Sequence, residues 1–199
     1  MNDRPSYDYI VVGAGSAGAV IASRLTETGT HNVLLLEAGP EDKNPWIHIP
    51  LGYGKLFTNA AVNWLYSTEP NTEQIDRRIL QPRGKVVGGS SAINGMVYIR
   101  GHRSDYDQWR QFGNAGWSYD DILPYFRKAE DQQRGEDEYH GTGGPLAVSD
   151  VYEEHPIAKA LIESAVLAGH KRNDDFNGAE QEGFGYVQWT IRNGRRCST

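Results

Sequence analysis

The residues best placed to do chemistry stand near the start of the chain. Gly13, Gly15 and Gly18 form a Gly-x-Gly-x-x-Gly run, and Glu37 follows 24 residues after the first of them. Gly13 permits a tight turn, Gly15 lets the backbone approach a diphosphate, and Gly18 lets a helix pack closely on a strand. A helix opening at Ser16 offers unpaired N–H groups and a partial positive charge to that diphosphate. A carboxylate at Glu37 accepts hydrogen bonds from a ribose diol and repels a 2′-phosphate. The glycines alone are weak, because Gly-rich turns are common. Strand, glycines, helix, strand and acid in register point to an adenine dinucleotide and away from NADP; the bland alternative is an ordinary βαβ turn.

A second stretch, residues 82–101, carries Gly84-Lys85-x-Val87-Gly88-Gly89-Ser90-Ser91-x-Ile93-Asn94-Gly95-Met96-Val97. Paired glycines let the main chain lie against a large planar group without Cβ contact. Ser90 and Ser91 are good helix caps. The following turn is therefore expected to present another positive helix end, suited to a phosphate or to the charge of a reduced flavin. A glycine-rich connection before a capped helix would look the same. Six histidines, at 31, 48, 102, 140, 155 and 170, read as surface or capping residues. Arg100, Arg103, Arg195 and Arg196 could bind an anion, but solvated charge is the plainer reading. Cys197 sits beside two arginines, which would lower its pKa; without a partner base it reads as structural.

These groups need elements to hold them. Apolar runs at 9–12 and 33–36 suit buried parallel strands, and 16–27 reads as a helix stopped by Gly29. Residues 38–63 form a long loop with one short helix at 54–57; such loops are uncommon unless functional. Its Trp46, Ile47, Ile49, Tyr53 and Phe57 either cover a flat cofactor or pack the loop onto the core. Short strands are expected at 63–68 and 77–81. A helix at 104–112 has Ser104 as its cap, and a capping box at Ser118 and Asp121 opens another to about residue 128. Polar, Gly-rich 131–144 reads as an exposed loop. An amphipathic helix spans 156–168, with Pro156 in its first turn and Ile157, Leu161, Ile162, Ala165 and Val166 as its stripe. A turn follows at 174–178, and a strand at 184–191.

The 199 residues carry a formal charge of −6, so no basic surface argues for nucleic acid. No apolar run is long enough for a membrane span, and the N-terminus lacks an apolar signal core. One cysteine cannot form an internal disulfide, and a cytoplasmic compartment fits. No metal site is assigned. Mean hydropathy is −0.61, polar for a doubly wound fold, which leads us to expect that part of the sheet is missing from this chain.

The pattern Gly84-Lys-x-Val-Gly-Gly-Ser-Ser-x-Ile-Asn94 resembles the first signature of the glucose–methanol–choline (GMC) family of flavin oxidoreductases. The Gly13–Glu37 unit, Glu37-Ala38-Gly39, Asn63-Trp64-x-Tyr66, Asp175-Phe-Asn-Gly178, Gly183, Gly185, Gly194-Arg195 and Ser198 are similar to that family too, so the resemblance covers essentially the whole chain. It implies an α/β, Rossmann-like FAD-binding fold over 1–150, with a lid at about 40–80 and the start of an α+β substrate-binding domain at 151–199. It implies FAD at Gly13, Gly15, Ser16, Ala17 and Gly18 (pyrophosphate), at Glu37 and Ala38 (adenosine ribose), at Trp64, and along Val87, Gly89, Asn94, Gly95, Met96 and Val97 (ribityl chain and isoalloxazine). It further implies oxidation of an alcohol by hydride transfer to flavin N5, with oxygen, a quinone or another carrier as final acceptor. Some relatives instead cleave cyanohydrins as lyases, and a non-catalytic flavin-binding fragment is a third reading. Two departures stand out. Ile93 occupies the place where some members carry a histidine bonded to the flavin, so FAD is expected to be non-covalent. The family's basic histidine belongs to a later part of a longer pattern, so the base is expected downstream of Thr199.

Overall fold

The computed structural model describes residues 5–199. They form two compact units, residues 5–95 with Gly194–Thr199, and Met96–Asn193. This division is geometric, whereas the expected assignment of 1–150 to the flavin and 151–199 to a substrate domain is a functional one.

In the first unit, strands β1 (Tyr9–Val12) and β2 (Val33–Leu36) pair in parallel, Tyr9 opposite Val33 and Val12 opposite Leu36. Helix α1 (Ser16–Thr26) is the crossover between them. These elements lie where the apolar runs place them. Such strands are normally covered on both faces, yet Ile10 is 62% and Val12 82% exposed. Helix α1 buries none of its side chains fully. The cover of this sheet is therefore short in these residues.

The apolar core of this unit lies elsewhere, in Ile47, Leu56, Val62, Val86, Ala92 and Ile93. Two short helices supply part of it, α2 (Pro45–His48) and α3 (Tyr53–Leu56), rather than the single helix expected at 54–57. Asn44 caps α2 by accepting from Trp46 N at 3.0 Å, and Pro45 begins the helix. Ile47 is fully buried while Trp46, Ile49 and Tyr53 stay exposed, so this loop packs onto the core through Ile47. Strands β3 (Tyr66–Ser67) and β4 (Leu80–Gln81) form an antiparallel pair.

The second glycine run corrects one expectation. Residues Gly89–Ala92 make a single 3-10 turn entered from Gly88, and no serine caps it. The Ser90 hydroxyl accepts from Gly84 N at 3.1 Å, and Ser91 donates to Gly88 O at 2.6 Å. Both hydroxyls tie the loop to itself. The chain then leaves helical geometry at Ile93 (φ −125°), whose side chain enters the core.

In the second unit, β5 (Val97–Tyr98) pairs antiparallel with β8 (Gln188–Trp189). Between them come α4 (Arg103–Gln111), α5 (Tyr119–Ala129), β6 (Glu130–Gln132), β7 (Leu146–Val148) and α6 (Pro156–Leu167), and β9 (Ile191–Arg192) follows. His102, not Ser104, caps α4: its ring accepts from Ser104 N at 3.2 Å, while Asp105 accepts from His102 N at 2.8 Å. The capping box at Ser118 and Asp121 stands as expected. The expected loop at 131–144 begins instead as strand β6, parallel to β7. Its Glu-Asp-Gln sequence hides it from any apolar pattern, because its buried side chains are held by polar contacts. The strand expected over 184–191 is broken into β8 and β9. On α6 only Ile162 is buried; Ile157 and Leu161 are 74% and 63% exposed.

Candidate functional site

The first glycine loop is built by close backbone contacts. A Cβ on Gly18 would fall 1.8 Å from Gly13 O, so only glycine lets α1 lie this near the end of β1. Gly13 N donates to Leu36 O at 2.7 Å, which fixes the loop at the carboxyl ends of both strands. The N-terminus of α1 has no side-chain cap, and Ser16 and Ala17 are exposed. This leaves its orphan N–H groups and partial positive charge facing out, an arrangement that receives a diphosphate.

Glu37 stands directly beside this loop. Its Oε2 accepts from Ala14 N at 2.8 Å, and its Oε1 accepts from Gly39 N at 2.9 Å. Each carboxylate oxygen retains a further acceptor position. Glu37 is therefore held in place with capacity left for ribose hydroxyls, and its charge repels a 2′-phosphate. Ala38 beside it is exposed.

The second glycine loop lies against the first. Gly88 N donates to Ala14 O at 2.8 Å. A Cβ on Gly89, which has φ +55°, would come 2.8 Å from Gly15 Cα. Two glycine runs distant in sequence thus meet main chain to main chain. That is the cradle a flat, phosphate-bearing ligand needs, and the residues present fit an adenine dinucleotide. Val87 donates its N–H to Pro40 O at 2.9 Å and leaves its side chain exposed. The exposed Asn94 accepts from Arg196 at 2.7 Å, and a Cβ position on Gly95 meets open space. Trp64 stacks on Tyr66 with centroids 5.8 Å apart, and Lys85 Nζ sits 4.7 Å over its ring. The remaining two candidate residues belong to the second unit. Met96 is buried with φ +63°, and its carbonyl accepts from Thr190 N at 2.8 Å; Val97 lies in β5, half exposed.

Three charged residues correct the reading of the sequence. Arg100, Arg196 and His140 are buried, not solvated. Arg100 meets the fully buried Glu130 at 2.7 Å. His140 bridges two acids: Nδ1 is 3.0 Å from Glu130 Oε1, and Nε2 is 2.9 Å from Asp175 Oδ2. Burial alone would lower the imidazole's pKa; the hydrogen bonds to Asp175 and Glu130 outweigh it and raise the value to about 9. At neutral pH His140 is an imidazolium clamped between carboxylates, which disqualifies it as a general base. Its loop looked exposed because it is rich in glycine. The glycines serve close packing instead: a Cβ on Gly141 would fall 2.1 Å from Arg127 O.

The remaining histidines also have local structural partners. His102 and His155 cap α4 and α6, and His48 Nε2 pairs with Asp42 O at 2.8 Å. His31 and His170 make ring contacts with Tyr9 and Phe184. No helix among the described residues is long and apolar enough to cross a membrane.

A parallel βαβ unit with glycine loop, uncapped helix end and carboxylate at the second strand is the arrangement of the dinucleotide-binding fingerprint. Residues 7–199 match the sequence profile of GMC oxidoreductases, and the chain belongs to that family, whose members bind FAD. It is 48% identical over 195 residues to the oxygen-dependent choline dehydrogenase of Vibrio vulnificus (strain YJ016), covering 97% of this chain and 35% of that protein. It is 47% identical over 194 residues to the alcohol dehydrogenase [acceptor] of Pseudomonas putida, again covering 97% and 35%. The crystal structure of pyridoxine 4-oxidase from Mesorbium loti superposes with a TM-score of 0.92 at 37% identity, over 97% of this chain and 38% of that one. The chain thus spans about a third of the length of these relatives.

Proposed function

We propose that these residues are the FAD-binding part of an oxidoreductase that oxidises an alcohol CH–OH group. The observation that carries this reading is the backbone contact between the Gly13–Gly18 and Gly88–Gly89 loops, with Glu37 held at their edge. Ser16, Ala17 and the N-terminus of α1 hold the pyrophosphate, and Glu37 with Ala38 holds the adenosine ribose. Val87, Gly89, Asn94, Gly95, Met96 and Val97 run beside the ribityl chain and ring, and Trp64 contributes from the lid at about 40–80. When bound, FAD supplies the acceptor that takes a hydride from the alcohol carbon at N5. A base must remove the hydroxyl proton in the same reaction. The structural engagement of the six histidines supports placing that base outside these 199 residues. Ile93 is buried in the apolar core, which supports a non-covalent cofactor. On this reading 1–150 serve the flavin and 151–199 begin the substrate domain. Choline and alcohol dehydrogenases among the relatives favour a small alcohol as substrate. The proposed acceptor is oxygen, a quinone or another carrier, and the proposed compartment is the cytoplasm.

The test is anaerobic addition of choline and a panel of primary alcohols to the FAD-loaded complete oxidoreductase, these residues together with the part that carries the base. Bleaching of the oxidised flavin band by one of them is expected. Cyanohydrin cleavage with no bleaching by any alcohol would replace this reading with a lyase.

A further inference from the structure

One buried charge in the first unit has no counter-charge among its partners. Arg196 is 6% exposed. Its Nε donates to Ile47 O at 2.7 Å, and its Nη1 donates to Ser91 O at 3.1 Å and to Asn94 Oδ1 at 2.7 Å. All three acceptors are neutral. Nη2 is buried and has no hydrogen-bond partner among the described residues. Burial pushes this guanidinium down to about 10, which still leaves it charged at neutral pH. Buried charges are normally paired, and a buried donor left unsatisfied calls for an explanation. Arg100 shows the usual solution, a carboxylate at 2.7 Å.

The position of Arg196 suggests what it serves. Two of its acceptors, Ser91 and Asn94, lie in the loop that follows Gly88 and Gly89, and that loop touches Gly15. Arrival of a hydride adds two electrons and one proton to a bound flavin and leaves the ring one negative charge. A fixed positive charge in a site of low dielectric stabilises such a charge more strongly than water would.

We propose that Arg196 is a positioning residue for the flavin: its fork fixes the Ser91–Asn94 turn, and its uncompensated charge favours the reduced, anionic cofactor. The inference rests on the reading that Asn94 lies beside the flavin. Arg196 acts from behind that turn, and its charge raises the cofactor's reduction potential.

The readout is the midpoint potential of FAD bound to the complete oxidoreductase that carries these residues, measured spectroelectrochemically, with bound flavin counted in each sample. In the unmodified protein the midpoint should lie above that of free FAD. Arg196→Met should lower the reduced-to-oxidised ratio at least tenfold, about 30 mV for a two-electron couple. Arg196→Lys, which keeps the charge, should stay within threefold of the unmodified protein. A midpoint at or below that of free FAD in the unmodified protein overturns the proposal without any variant having to fold. So does Arg196→Met with full FAD and an unchanged midpoint, the result expected if a carboxylate outside the described residues pairs with Nη2. An unmodified protein that binds no FAD would refute the underlying cofactor reading instead.

Discussion

Replacing His140 by glutamine should destabilise the protein, and the loss should depend on pH in one direction only. The ring bridges Glu130 and Asp175 at 3.0 and 2.9 Å, and it is only 4% exposed. Its pKa rises from 6.5 to about 9 on folding, which at about 1.4 kcal/mol per pH unit is on the order of 3 kcal/mol. Breaking a buried pair typically costs ~3–5 kcal/mol. Glu130 keeps Arg100 at 2.7 Å in the variant, so the lower end of that range, about 3 kcal/mol, is expected. A group whose folded pKa is raised contributes fully below its unfolded pKa and stops contributing as pH climbs through the folded value. The stability gap between wild type and His140→Gln should therefore be complete at pH 6 and mostly gone by pH 10. Asp175 is depressed despite its burial, because His140 hydrogen-bonds its charged form. Its contribution is lost only in acid, so work above pH 6 isolates the histidine. Urea denaturation of the FAD-loaded protein at several pH values measures the gap. An equal gap at pH 6 and pH 10 would refute the claim that the imidazolium is the stabilising species.

Acid precipitation of the loaded protein should leave a yellow supernatant and a colourless pellet, because Ile93 is apolar and buried; a flavin band that follows the chain on a denaturing gel would contradict this. Residues 1–199 expressed alone should aggregate or hold FAD poorly, because β1, β2, α1 and α6 expose apolar faces, among them Val12 at 82% and Leu167 at 89%. The same polypeptide, reconstituted with FAD, should show no alcohol-dependent bleaching. Stoichiometric FAD with bleaching would return attention to His48 and His102 as bases.

The first βαβ unit was legible because local signals agree there. Apolar runs, a three-glycine turn and a terminal acid each specify part of one βαβ unit, and the structure joins them as those signals require. The second glycine loop was legible as a place of close approach but not as a conformation. Nothing local showed that Ser90 and Ser91 would bond within the loop, because Ile93 is drawn out of helical geometry by a core made with distant Ile47 and Leu56. The buried ions were illegible for a related reason. Arg100, Glu130 and His140 lie 30 and 10 residues apart in sequence, and no periodicity marks residues that are buried through one another. Strand β6 went unseen with them, since its Glu130 and Gln132 face inward as polar groups.

Glu37 is the residue on which the proposed cofactor site depends most directly. Its two carboxylate oxygens accept from Ala14 N and Gly39 N; Glu37→Gln keeps one of these acceptors at a part-buried position and should still fold, while it loses the charge offered to the ribose. FAD affinity, measured by titration calorimetry on the apoprotein, should then fall by about 1–3 kcal/mol. Glu37→Arg should bind FAD more weakly still. An apoprotein whose FAD affinity is the same with glutamate, glutamine or arginine at position 37 would contradict the proposed cofactor site.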